Sequence, residues 1–434
     1  MVEHHIEKIL RAQYFNNYVD AWYSWLSTAQ VNQFLSLDDA VEGLKNLANT
    51  DGPMAQLMQA VAINIDAPNT PSDSSIAPEL AKPFQALRQF AGGVDGDESV
   101  PPALHKYLKN ISGSRGAIQN LAIAANAPVQ AKQYAAQILN GKTQKNALYQ
   151  TRATISKMLM NVHDSKEKTA IDNVLVSPVR ATWQALLAEA SKDVQTQWEN
   201  QVLPNYQGDI VGRFPFQQDS QQDADMDSIK QFFGLQQGAL WKFVHKSLQP
   251  FVKQQGMNWV ANKWLGVGMG FSPSFLPGLS QAQEISSVLF SNGIQQPKFS
   301  FSLYPIPLID VSEVTLSVNG KAYNYQNGPQ QWQDMQWALS QAQQDSQLLV
   351  SKGENAQAQL DGTGIWGIFK LLDQASVSGS SSGYLLAWHM KSSDGQSMDV
   401  KMKFKTNGPA SAIKGFVKTP FQLPSSVTQQ VTEY

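Results

Sequence analysis

Several patterns in this 434-residue chain have residue types and spacings on which chemistry could be built. Gly362-Thr-Gly-Ile-Trp-Gly367 fits G-x-G-x-x-G, whose glycines let backbone approach a dinucleotide pyrophosphate at a helix start. That use needs a parallel βαβ unit and an acid about twenty residues on. Here the flanking patterns are antiparallel, and the corresponding region, Tyr384 to Met390, holds no acid. The pattern reads instead as a glycine turn that admits Trp366 to a core. Gly379-Ser-Ser-Ser-Gly383 fits G-x-S-x-G around Ser381, the strained nucleophile elbow of serine hydrolases. It lies in the serine-rich run 376–383, which reads as a flexible hairpin loop, and the only downstream histidine, His389, falls in a strand pattern. Gly141-Lys-Thr143 resembles the end of a phosphate-binding loop. Position 136, where the first glycine belongs, is Ala, so a helix-ending glycine is expected.

Metal chemistry has as little support. His4, His5 and Glu7 crowd a terminus, and His105, His163 and His245 are isolated in sequence. Asp223, Asp225 and Asp227 alternate as in a calcium loop but lack its glycine and closing glutamate. They fit a helix start, where carboxylates complement the N-terminal dipole. Cysteine is absent, which removes disulfides, thiolate ligands and cysteine nucleophiles together. No catalytic, cofactor-binding or metal-ligating residue is therefore assigned, no cofactor is expected, and the chain reads as a non-enzyme. Among the eleven tryptophans most are expected in cores. In the strand-patterned region Trp332, Trp337 and Trp388, with Tyr323 and Tyr325, are the candidate partner-binding residues, since large aromatics anchor interfaces.

The elements that carry these residues change grammar once. From about residue 6 to 290 apolar residues recur at helical spacing, as in Ile6, Ile9, Leu10, Tyr14, Tyr18 and Trp22, then Val41, Leu44, Leu47 and Ala48. Asp38-Asp39 suits the start of the second run. Further helices are expected from Ile118 to Leu139 and from Ala147 to Leu159, with turn-rich linkers at 66–79 and 91–102. A long helix should begin near Pro178, pass through Trp183, Leu186, Leu187 and Trp198, and end at Pro204. Asp223 or Asp225 can cap a helix that puts Met226, Ile229, Phe232 and Phe233 on one face and stops at Gly234. Leu240, Phe243, Val244 and Leu248 form another stripe before Pro250. Residues 266–270 and 273–278 then connect to a last helix from about Gln281 to Phe290.

After about Gln295 the period becomes two. Val314 to Val318 and Lys321 to Tyr325 flank Asn319-Gly320, and a two-residue turn there pairs Val314 with Tyr325 and Leu316 with Tyr323. Tyr384 to Met390 and Met398 to Phe404 form a second hairpin. A two-residue Asp394-Gly395 turn would scramble its apolar faces. A three-residue loop, Ser393-Asp394-Gly395, pairs Met390 with Met398, Trp388 with Val400, Leu386 with Met402 and Tyr384 with Phe404, with Gly395 left-handed. One short helix, Ile365 to Asp373, interrupts the strands. The fold class is α+β: an elongated, mostly α-helical N-terminal portion followed by a small C-terminal antiparallel β-sandwich. The expected domains are 1–210 (helical, as one domain or two subdomains), 211–294 (helical junction) and 295–434 (sandwich).

Composition bounds the partners. Hydrophobic residues make up 42% and charged residues only 16%, with net charge −2. No global basic field exists to hold a nucleic acid. No run approaches the about eighteen apolar residues of a membrane span, and the start lacks the basic flank and apolar stretch of a secretory signal. If the protein works outside the cytoplasm, its targeting segment is expected upstream.

Taken together these segments resemble the IcmF/TssM family of bacterial type VI and type IVB (Dot/Icm) secretion machines. Tyr14 to Leu26, Ser36 to Leu47 and Met54 to Ile65 look like its helical region after the membrane. Phe214-Pro-Phe216, the acidic helix ending in Phe-Phe-Gly234, Gly238 to Phe243 and Leu248 to Phe251 follow its order. So do Asn319-Gly320, Asn327-Gly-Pro329, Trp337 and Gly364 to Asp373. The family's Trp-Pro pair is Trp337-Ala338 here, and its closing Phe-x-Cys-Pro is replaced around Phe416 to Phe421. With the glutamine-rich surface, these departures lean toward the type IVB branch.

The resemblance implies the C-terminal periplasmic portion of an inner-membrane protein and a scaffold role in a trans-envelope complex. The membrane helices would lie upstream, with the contact to a DotU/TssL-like inner-membrane partner. The sandwich, 297–424, would be the part that in type VI members docks an outer-membrane lipoprotein. A peptidoglycan-binding module, with Trp332, Trp337 or Trp388 stacked on sugar rings, is the alternative. A hydrolase would need Ser381 beside a histidine.

Overall fold

A computed structural model describes residues 2–65, 82–91, 100–290, 297–309, 311–338, 345–353, 356–380, 383–406 and 420–429. The chain forms two compact units, one of 1–193, 262–270 and 431–434, the other of 194–261 and 271–430.

The first unit is helical. Its helices are Val2–Thr28, Leu37–Ala48, Pro53–Ile65, Gln85–Ala91, Pro102–Ala122, Ala127–Leu139, Ala147–Met158 and the greater part of Ser165–Gln201. Ser36, just before Asp38-Asp39, is the cap of Leu37–Ala48, accepting the Asp39 N–H at 3.1 Å. The single helix expected over 118–139 is two, broken at 123–126. Gly141 (φ 73°) ends the second of these, and the Lys142 N–H reaches back to the Gln137 carbonyl at 2.8 Å.

Pro178 lies inside the Ser165–Gln201 helix rather than near its start. Proline's fixed φ is helical, and its cost is a missing N–H and a steric clash, about 3 kcal/mol. Burial all round outweighs that cost: the consecutive Val174, Leu175, Val176 and Ser177, with Val179, are each at most 4% exposed. Thr182 Oγ1 also donates to the Pro178 carbonyl at 2.7 Å. A two-stranded ribbon of β3 (Lys263–Trp264) and β4 (Val267–Gly268), in a stretch expected to be a connection, joins this core. The Trp183 indole N–H donates to the Val267 carbonyl at 3.0 Å, and Trp264 meets the Trp183 ring at 5.2 Å.

In the second unit Pro204 opens the short helix Leu203–Asp209 instead of closing the long one, because a first-turn residue needs no N–H partner. Helices Met226–Phe233 and Ala239–Phe243 follow, and Val244–Leu248 continues as a π-turn. The hairpin of β1 (Val252–Gln255) and β2 (Asn258–Ala261) occupies a stretch of the mostly helical region to which the sequence reading assigned no element. The last long helix is Phe275–Leu289, starting six residues early because Pro277 fits its first turn.

The sandwich has two antiparallel sheets. Its strands are β5 (Lys298–Pro305), β6 (Glu313–Val318), β7 (Lys321–Tyr325), β8 (Gln333–Ala338), β9 (Ser346–Lys352), β10 (Ala356–Gly362), β11 (Ser376–Ser380), β12 (Gly383–Lys391) and β13 (Ser397–Thr406). The sheet orders are β10-β9-β6-β7 and β11-β12-β13-β5-β8. Both hairpin registers are those expected: Val314 faces Tyr325 across an Asn319-Gly320 turn, and Met390 faces Met398. Ser392 closes the second loop on the Gln396 carbonyl at 2.9 Å, with Gly395 at φ 83°. The run expected to be a flexible loop is a strand over Ser376–Ser380, its alternation hidden by small polar side chains. Ser381 lies outside the described residues.

The Phe-Pro-Phe segment braces this unit. Phe216 and Phe233 stack at 5.3 Å, and Phe421 meets Phe233 at 5.2 Å. The Phe421 N–H donates to the Phe216 carbonyl at 3.2 Å. Asp223 pairs with Lys370 at 2.9 Å, and Gln218 donates to Asp373 at 2.6 Å, both on the helix Gly367–Gln374.

Candidate partner-binding surface

Alternation along β13 puts Met398, Val400, Met402 and Phe404 inside and Lys401, Lys403 and Lys405 in solvent. On β5, Phe299, Phe301 and Leu303 point inward and Tyr304 outward. Register places Tyr304 beside Lys403 and Ser302 beside Lys405. Trp332, just before β8, lies against Tyr304 at 5.3 Å between ring centres. Lys405 Nζ stands 4.1 Å over the Trp332 ring and Lys403 Nζ 5.3 Å over the Tyr304 ring. Each such cation–π contact contributes about 0.5–1 kcal/mol when exposed. The result is an ordered strip of alternating ammonium and aromatic groups.

The loop after Tyr304 adjoins it. Asn327, with φ 57°, accepts the Leu308 N–H at 2.8 Å and fixes a loop whose Ile309 is 81% exposed.

Of the residues singled out in the sequence, only Trp332, 40% exposed, is fully at the surface. Tyr323 is half-buried on edge strand β7, and burial pushes its phenol pKa up. Trp337, Trp388 and Tyr325 are core residues, which corrects their assignment as surface contacts. The Trp337 indole donates to the Ile365 carbonyl at 2.6 Å and that of Trp388 to the Leu371 carbonyl at 2.8 Å, so their polar ends are satisfied inside. A sugar-stacking platform built on three tryptophans is not formed. Sequence reading missed Tyr304 and the three lysines. The signal was present as Lys-x-Lys-x-Lys over 401–405, the other half of the alternation that gave the register.

The remaining motifs have structural roles. Trp366 is fully buried and donates to the Ala224 carbonyl at 2.7 Å. A Cβ on Gly362 would come within 2.0 Å of the Gly367 carbonyl oxygen, so this turn needs close backbone approach. Asp225 caps its helix through the Ser228 N–H at 3.0 Å, and that bond holds its carboxyl below the usual range. His389 is exposed beside Asp399 at 2.8 Å. Among the described residues no three His, Asp or Glu side chains converge as a metal site, and no helix is long and apolar enough to cross a membrane.

The fold is that of an α+β protein with a helical N-terminal part and a C-terminal β-sandwich. The chain belongs to the IcmF/TssM family and corresponds to its C-terminal portion. Residues 189–295 match the type VI secretion protein IcmF helical domain, and 301–406 its C2-like domain. Residues 2–66 match the IcmF-related family described as intracellular multiplication and human macrophage-killing. The chain is 22% identical over 440 residues to the type VI secretion system component TssM1 of Pseudomonas aeruginosa, covering 96% of this chain and 39% of that relative. It thus spans well under half of the relative's length. A solved type VI membrane complex shares the fold with TM-score 0.70 and 23% identity, over 97% of this chain and 85% of that one. A type VI secretion system membrane core complex does so with TM-score 0.62 and 22% identity, over 98% and 85%. The helical and C2-like family models, the curated relative and both solved structures carry the type VI label in their names.

Proposed function

We propose that this chain is a non-enzymatic scaffold: the periplasmic part of an inner-membrane secretion-system protein that stabilises a trans-envelope complex through protein contacts. The observation that carries this reading is the near-complete fold match to chains of type VI membrane complexes. It is supported by acids, histidine and glycine turns that serve caps, ion pairs and packing (Asp225, Asp223, His389, Gly362). The exposed Trp332 and the half-buried Tyr323 are the anchors offered to an envelope partner, with an outer-membrane lipoprotein as the candidate for the sandwich. A DotU/TssL-like protein is the candidate for the longer protein's upstream region.

The test is affinity capture from envelope extracts with the intact chain and with a Trp332→Ala/Tyr323→Ala variant. Point variants are preferred to deleting 297–434, because Trp366 and Phe421 share a core with the preceding helices. Recovery of type VI envelope proteins by the intact chain, reduced about tenfold by the double substitution, is expected. Recovery of no secretion-system protein by either form would overturn the reading.

A further inference from the structure

We propose that the outer face of the β11-β12-β13-β5-β8 sheet docks an extended acidic protein segment, its carboxylates on Lys401, Lys403 and Lys405 and an apolar residue against Tyr304 and Trp332. This rests on the scaffold reading and specifies the chemistry of its partner.

Lysines on sheets often protect edges from unwanted pairing. That explanation fails here, because β13 is the middle strand of its sheet. The cross-strand neighbours of the three lysines are Ala387, Leu385, Tyr304 and Ser302, none of them anionic. Two carboxylates on the same face turn to other partners and not to these lysines: Asp399 meets His389 at 2.8 Å, and Asp334 accepts the Ser302 hydroxyl at 2.6 Å. Among the described residues none of the three ammonium groups has an ion-pair partner. A line of like charges is therefore held on a rigid strand in a chain whose net charge is −2.

Geometry selects the occupant. Alternate residues of a strand repeat about every 7 Å. A partner in extended conformation with Asp or Glu at every second position has the same repeat, so its carboxylates can meet the three ammonium groups in register. The aromatic pair at the side of the strip gives the apolar contact that fixes position along it. A single line of three lysines is a poor match for the broad basic surface that nucleic acid or an anionic bilayer requires.

The test is fluorescence anisotropy of a labelled peptide of alternating Glu and Val, titrated with the intact chain at low salt. A peptide with Gln in place of Glu and vesicles of phosphatidylglycerol serve as the other probes. The Glu peptide is expected to bind at least about tenfold more tightly than the Gln peptide and to weaken with added salt. The K401E/K403E/K405E variant should lose that preference, and Trp332→Ala should weaken binding by about fivefold. A Lys352→Glu control, on the other sheet, should retain it. Equal binding of the two peptides, unchanged binding by the triple variant, or capture of vesicles with no binding of the Glu peptide would each overturn the proposal. Absence of any peptide preference in the intact chain, with capture of envelope proteins retained, would overturn this docking chemistry and leave the scaffold reading standing.

Discussion

The indole N–H of Trp366, in the glycine corner of the sandwich, donates to the carbonyl of Ala224 at 2.7 Å, across 142 residues of chain. Both residues are fully buried. The bond ties the glycine corner to the cap of the Met226–Phe233 helix, next to the Asp223–Lys370 pair.

Replacing Trp366 by Phe should keep most of the ring contacts with Trp337 and Phe369 but leave the carbonyl without this donor. The expected loss is about 1–3 kcal/mol, against about 3–5 kcal/mol for Trp366→Ala. Urea unfolding followed in the near-ultraviolet would measure both. A Phe variant as stable as the native chain would show that the bond contributes nothing.

Asp225 makes the Met226–Phe233 cap pH-dependent. Its carboxyl is held below the ordinary range by the Ser228 N–H, so its contribution is present above the unfolded value near about 3.9 and fades as pH falls through the folded one. Asp225→Ala should cost about 1 kcal/mol at pH 7, and the gap between variant and native chain should narrow by pH 3. A gap that stays constant over this range would count against the cap.

Glu167 behaves in the opposite sense. Burial raises its carboxyl pKa, and the N–H groups of Leu87 and Ala86, at 3.2 and 3.0 Å, only partly offset that. Its contribution is therefore full below the unfolded value near about 4.3 and is lost as pH rises through the folded value. Glu167→Gln keeps an acceptor for both donors and should flatten the fall in stability between pH 4 and pH 7. Denaturation midpoints across that range decide it, and parallel curves would refute the assignment.

Two glycines should separate backbone strain from collision. Gly395 sits at φ 83° with no atom within 4 Å of an added Cβ, so Gly395→Ala should cost only about 1 kcal/mol. Gly362→Ala would drive its Cβ onto the Gly367 carbonyl and should cost about 3 kcal/mol or more. Melting temperatures of the two variants should rank accordingly, and the reverse order would refute the account.

What could be read from the residues is what is decided within a few of them. The Asn319-Gly320 turn and the 393–395 loop set their registers because inward and outward positions alternate strictly, so a one-residue slip would turn every apolar side chain to water. Asp225 announced its helix because a cap needs only an N–H three residues on. Pro178 misled because its local cost is real, and only burial of the surrounding helix by distant segments overrides it. The ribbons at 252–261 and 263–268 were hidden because strands of two to four residues leave too few alternations to read.

The same division holds for the surface. The sequence by itself determined the α+β order, the two long hairpins and the absence of thiol chemistry, all local pattern or composition. Tertiary structure alone decided that Trp337 and Trp388 face inward while Trp332 stays out, and that Lys403 and Lys405 stand over Tyr304 and Trp332. An aromatic residue has the same identity inside or outside, and only the sheet that forms around it assigns it to core or partner.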